Sequence, residues 1–472
     1  MRSASKAGLG KRCVGLMQAV VAAGVLCAAR DSRAASPGAG TEGFYIGTYT
    51  TYSGSTSKGI YQASLDLGAG TFGPTNLAAT ATDASFVAIH PSHKFLYAVS
   101  ETGNYVSAYS INPTTRNLTH LNQLPSGGSS GAPVDLVVDN AGTSLLVANY
   151  NGGSVAVLSI LTNGSLGIQT SFDQHTGTGP AGTGPLCHCV ALDANNQFAF
   201  VCDKGLDKIF SYHFNSALGT LTSNNPPWTV VATKSGPRHL AFDLQSRHAY
   251  VICELSSTLI AFNYNAQFGV LTAFQTNSTL PAGLSAVNNA AAEIAVHPSG
   301  KFVYGSNRAN NSSGTNCVAV FVVNATNGAL TLVQYVPTGS TPRNFALDPT
   351  GAFCIVADQG SNNILLFSID PGTGLLTAKA QSLAVSMPVC VLPFFTQPPQ
   401  PVLGMSPSAN ATLQVGIGNG CGALTYQLYQ APAMTSNAAW SLLACGVCGQ
   451  TNFVLTNNLS QGFFRASVVT NY

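Results

Sequence analysis

The chain has 472 residues, 48 of them glycine, with only 8% charged residues and a formal net charge of +2. That length exceeds one small domain, and plentiful Gly, Thr, Ser, Asn and Val with few Lys, Glu and Arg predict an all-β chain rich in turns. Balanced charge, with no basic cluster beyond the first dozen residues, excludes a nucleic-acid footprint.

In chain order, Arg2, Lys6, Lys11 and Arg12 precede an apolar stretch from Cys13 to Ala29, and small residues end at Ala34. This succession predicts a signal peptide over 1–35, hence an exported protein (periplasmic or extracellular) with no membrane span once the signal is removed. Of twelve cysteines, Cys13 and Cys27 lie in that segment and ten follow. Export permits disulfides, but Cys202, Cys253, Cys354 and Cys390 sit in apolar β-like runs, where cysteine is a small buried hydrophobe. Cys421, Cys445 and Cys448 are the candidates for a bridge. The "CHC" at 187–189 and "CGVC" at 445–448 lack a second pair at ligand spacing, so no metal is expected.

A five-residue apolar block then recurs near every fifty residues: "FYIGT" at 44, "FLYAV" at 95, "LLVAN" at 145, "FAFVC" at 198, "AYVIC" at 249, "FVYGS" at 302 and "FCIVA" at 353. Ahead of six of them stands an apolar run ending in Asp or His, joined by a Pro/Asn/Gly-rich hairpin signal. A third alternating run and a fourth opening "LT" or "SL" follow. Four strands per unit and seven units predict a seven-bladed β-propeller over 42–395. The first unit lacks its leading run, and "MPVCVLPF" from Met387 to Phe394 supplies a spare one to close the ring. A Pro-rich linker at 396–402 leads to a small β-sandwich-like domain over 403–472.

Glu occurs only four times. In a propeller, the start of each blade's first strand and the end of its second open on the same face. Aligned on the repeat, His188, Arg238 and Arg343 occupy one such position, His239, Glu293 and Asn344 the next, and Glu101, Glu254 and Arg308 the strand ends opposite. Asp203 and Asp358, aligned with Glu254, read as turn caps. Charges placed only for solubility would spread over outer strands, so their convergence predicts a site at one mouth of the channel.

These segments, among them "SFVAIHPSHKFLYAVSE", "GPRHLAFD", "AAEIAVHPSGKFVYGSNR" and "TPRNFALDPTGAF", resemble the lactonase family of seven-bladed propellers, which includes propeller-type 6-phosphogluconolactonases. The resemblance runs in order over roughly 42–395. It implies a carboxylic-ester (lactone) hydrolase acting on a sugar-acid or related lactone. A monomer without a cofactor is expected: the charged cluster lacks a dense Asp/His/Glu ligand set for an obligatory metal, and a Glu-based divalent site is the alternative. Fungal carboxymuconate-lactonising enzymes share the fold, and His188, Arg238 and Glu254 look like their His, Arg and Glu, with Arg308 as a second anion-binding Arg. Lactone hydrolysis needs a base for water and positive charge for the oxyanion. Glu254 or His188 is the candidate base, Arg238 and His239 the oxyanion stabilisers, and Arg308 and Arg343 the binders of an anionic tail. Glu101, Glu293 and Asn344 complete the substrate-binding set. The sequence departs from the family's "PHxHS" pattern at Leu186, and export would separate the chain from the cytoplasmic pentose-phosphate pathway. The competing expectation is a non-catalytic propeller that binds a carbohydrate or protein partner, or a muconate-type lactonising enzyme.

Overall fold

The computed structural model describes residues 40–128 and 131–394 in full and, beyond them, the backbone of six strands between residues 402 and 469. Residues 40–394 form a seven-bladed β-propeller. Blade 5 typifies the unit, with strands Pro237–Phe242, His248–Cys253, Thr258–Asn265 and Val270–Ser278 paired antiparallel in chain order. The apolar second strands are the most buried, and that of blade 5 has every residue buried. Fourth strands alternate mainly between half-buried and exposed positions, because only one of their faces meets protein.

Blade 1 takes its innermost strand from the far end of the chain. Pro388–Phe394 pairs antiparallel with Thr41–Thr48, which in turn pairs with Gly59–Asp66. The seven first strands neighbour one another in cyclic order, Pro388–Phe394 lying between those of blades 7 and 2. The ring therefore closes without a free edge at its seam.

The core consists of seven apolar clusters, one between each pair of adjacent blades. Phe200, Cys202, Val251 and Phe262 fill the interface of blades 4 and 5. Phe44, Ile46, Ile355 and Leu366 fill that of blades 7 and 1. A buried phenol needs an acceptor, and Tyr97, Tyr250 and Tyr304 each donate to a turn carbonyl of the next blade, at Gly164, Gly328 and Gly374. Glycine is required at the first of these turns: its φ is +83°, and a Cβ there would sit 2.2 Å from Phe95.

The Asp or His ending each first strand lies at the end away from the rare charges. Asp193 Oδ1 accepts from the backbone N–H of Gln197 and Phe198, capping the turn into the second strand. His297 instead pairs its Nε2 with the Gly351 carbonyl of the next blade at 2.8 Å. All seven described cysteines are buried and free. The signal peptide expected over 1–35 and the bridge expected among Cys421, Cys445 and Cys448 fall outside the fully described residues. Of the C-terminal region, the six strands pair as two three-stranded antiparallel sheets.

Candidate functional site

At the charge-bearing end of the blades, the pairing of first and second strands slips. In blade 5, Pro237 pairs with Cys253 and His239 with Ile252, so Arg238 is an extra residue. His188 in blade 4 and Arg343 in blade 7 are extra in the same way, as are Val134 in blade 3 and Val389 in blade 1. In blade 6, Ala292 and Glu293 together face Ser306, whose Oγ accepts from the Glu293 N–H at 3.0 Å. A bulge bends its strand and re-aims a side chain. Strict alternation would send Arg238 and His239 to opposite faces; with the bulge both reach one pocket.

That pocket is a small concavity open to solvent, and it draws lining residues from all seven blades. It brings together His188, Arg238, His239 and Arg343 with Glu101, Glu293 and Asn344. Glu254 and Arg308 stand beside it and reach it through Arg238. Ser85, Phe86, Val134 and Val389 complete the lining. The repeat alignment holds the signal for these four, since each occupies the position of Arg238 or His239 in its own blade.

Glu254 is the electrostatic centre of the rim. Its carboxylate meets Lys204 Nζ at 2.6 Å, Arg238 Nε at 3.1 Å and Arg308 Nη2 at 3.2 Å. Burial alone would raise its pKa, but Arg308, Lys204 and Arg238 together hold the carboxyl down at about 2. Arg238 also donates to the Ala292 carbonyl at 2.6 Å, and Arg308 to those of Ala290 and Ala291.

Lys204 is the rim charge that sequence alignment misses. Aligning "FAFVC" with "AYVIC" sets Asp203 against Glu254, whereas the ladder pairs Asp203 with Cys187 and Cys253 with Pro237. Asp203 is therefore equivalent to Cys253, and Lys204 to Glu254. Asp203 does cap a turn, its Oδ1 accepting from the N–H groups of Leu186, Gly205 and Leu206. Asp358, which pairs with Pro342, also stands at the Cys253 level. Its carboxyl is pushed up to about 7 by burial.

Beneath the rim lies a second, neutralised set. His239 Nδ1 pairs with Glu293 Oε1 at 2.8 Å. Glu293 also accepts from the Ile294 N–H and from Asn344 Nδ2, the latter at 2.6 Å. Asn344 is itself oriented, because its Oδ1 accepts from the Val391 N–H. Burial opposes the Glu293 charge, yet His239 beside it holds the carboxyl below its ordinary range. His188, by burial first and Arg238 second, is held well below the usual histidine pKa and is a neutral imidazole at pH 7. The two rings stand 5.2 Å apart between centroids.

Three buried polar atoms of the pocket have no protein partner: His239 Nε2, His188 Nδ1 and Ser85 Oγ. Such atoms are costly unless something else satisfies them. Arg343 is the other uncommitted group. Among the described residues it makes no ion pair or hydrogen bond, and stacks over the Tyr49 ring at 5.3 Å. The Tyr49 hydroxyl donates to Glu101 Oε2 at 2.7 Å.

One other group, His175, Cys187 and Asp203, offers metal-ligand atoms close together. Its histidine is bonded at both nitrogens, to Asp203 Oδ2 at 2.7 Å and the Tyr212 hydroxyl at 2.8 Å, which accounts for the cluster without an ion.

The family model described as "Lactonase, 7-bladed beta-propeller" matches residues 43–393. The chain belongs to the seven-bladed β-propeller lactonase family. It is 33% identical to the 6-phosphogluconolactonase of Bacillus subtilis over 352 residues, 74% of this chain and 97% of that one. It is 32% identical to the 6-phosphogluconolactonase of Formosa agariphila, over 64% of this chain and 86% of that one. Among solved structures, the periplasmic gluconolactonase of Pseudomonas aeruginosa superposes with a TM-score of 0.69 at 27% identity, covering 76% of this chain and all of that one. The lactonase match takes in every lining residue of the pocket and ends before the C-terminal strands.

Proposed function

We propose that this chain is an exported lactonase that hydrolyses a sugar-acid or related lactone in this pocket, at one mouth of the propeller channel. The observation that carries the reading is His239. Glu293 holds its Nδ1, while its Nε2 faces the pocket without a partner. A carboxylate-held imidazole of this kind takes a proton from water and stabilises the imidazolium that forms. Water then adds to the lactone carbonyl, and the guanidinium group of Arg343 stabilises the oxyanion. Collapse breaks the ring C–O bond, and the leaving alkoxide takes the proton back from His239, giving one hydroxy acid per water consumed.

Between Glu254 and His188, the sequence leaves the base open. The geometry favours His239 over both. Glu254 holds its proton too weakly at about 2 to serve near neutral pH. Its role here is to fix Arg238 and Arg308. His188, kept neutral, is a hydrogen-bonding partner for the substrate. Every residue in this scheme belongs to the propeller.

The purified chain should hydrolyse at least one member of a panel of five- and six-membered sugar lactones, followed by acid release. His239→Gln should lower kcat by roughly a hundredfold or more with little change in KM, the size expected for a lost base. A panel untouched by the wild-type protein would leave the propeller as a binding module. Full activity of His239→Gln would remove His239 as the base.

A further inference from the structure

Resting on that lactonase reading, the charges around the pocket define its substrate class. We infer that the pocket selects an uncharged, polyhydroxylated lactone over a phosphorylated one, and that Glu101 makes the distinction.

The lining holds two guanidinium groups, Arg238 and Arg343, against two carboxylates, Glu101 and Glu293. Arg238 is committed to Glu254 and the Ala292 carbonyl. The rim cations are committed as well. Lys204 binds Glu254 and the Tyr150 hydroxyl, and Arg308 binds Glu254 and two carbonyls. Arg343 alone is left, and the oxyanion of lactone hydrolysis claims it.

A phosphoryl group calls for charge-assisted donors, an arginine fork, a lysine or a helix N-terminus. No second uncommitted guanidinium or ammonium group lines the pocket, and no α-helix stands among the described residues. Glu101 adds an opposing charge. Its Oε2 accepts from Tyr49, while its Oε1 has no protein partner and is an acceptor for a hydroxyl. The same oxygen repels a phosphate. The remaining open groups, Ser85 Oγ, His188 Nδ1 and His239 Nε2, are hydrogen-bonding atoms suited to hydroxyls and a ring ester.

The test compares kcat/KM for glucono-δ-lactone and its 6-phosphate at fixed ionic strength, in wild type, Glu101→Gln and Glu101→Ser. Wild type should favour the unphosphorylated lactone by roughly tenfold or more, the scale of one like-charge contact in a partly buried site. Both variants should shrink that ratio several-fold by improving the phosphorylated substrate. Equal or better turnover of the phosphorylated lactone by wild type overturns the inference, as does a ratio unchanged in both variants. Hydrolysis of neither, nor of any other lactone in the panel, would defeat the lactonase reading instead. Calorimetric binding of glucono-δ-lactam and its 6-phosphate then decides the charge preference independently, and tighter binding of the phosphate overturns it.

Discussion

Three cations share one carboxylate at Glu254, and a single substitution there sets them against each other. Glu254→Gln should destabilise the protein at pH 7, since Lys204, Arg238 and Arg308 would lose their only shared counter-charge. The sign with pH follows from the depressed pKa. A carboxyl lowered from 4.5 to about 2 stabilises the fold fully above 4.5 and loses that contribution as pH falls through about 2. The shift corresponds to roughly 3 kcal/mol. Urea unfolding of wild type and Glu254→Gln should therefore differ at pH 7 and converge toward pH 3. A gap that widens in acid would contradict this account. The repeat alone singles out all nine candidate site residues. It does not give their roles, because the sequence does not say which partner each charge meets. Glu254 and Glu293 are both rare acidic residues assigned to one mouth, yet one is locked among cations and the other holds a histidine.

A strand element carries the same residue level in every blade, so blades can be compared as natural variants. At the end of the second strand stand Asn149 in blade 3, Asp203 in blade 4, Asn307 in blade 6 and Asp358 in blade 7. Asn149 and Asn307 donate their amides to carbonyls of the preceding segment, at Ser126 and Thr279. Asp358 occupies that niche beside Thr338 and Gly339 with a carboxyl raised to about 7 by burial. A carboxyl raised from 3.8 makes the folded state bind more protons, so its contribution falls as pH rises from 3.8 through about 7. Asp358→Asn should raise Tm at pH 8 by several degrees and leave it nearly unchanged at pH 4, read by thermal denaturation. A loss of stability at pH 8 would show that the charge is wanted. The bulges are the element-scale feature hidden from the sequence. Nothing in "SGPRHLAFD" separates a bulged strand from a regular one, because the extra residue is defined by what it fails to pair with.

The whole molecule is held by a strand that the chain delivers 340 or more residues after its partner: Pro388–Phe394 completes blade 1 beside Thr41–Thr48. Truncation after residue 386 should leave blade 1 without its inner strand, expose the Tyr45 and Phe44 clusters and abolish cooperative unfolding. Truncation after residue 397 should keep the propeller folded, with the lactonase activity proposed for it. Circular dichroism melts of the two forms check this, and a cooperative melt of the shorter one would rule out closure through this strand.

What the sequence determined by itself is what repeats. Apolar blocks near every fifty residues, hairpin signals between them and a displaced first strand are local or periodic, and they suffice for seven blades and a closed ring. Strand alternation and the closure strand follow from side-chain period and edge pairing, which read directly along a chain. Only the tertiary structure decided the register at the charged end, and with it Lys204's place beside Glu254. It also decided which nitrogen of His239 is held and which is open. These depend on contacts between blades some fifty residues apart, where a one-residue slip exchanges one side chain for another and no periodic signal marks the difference.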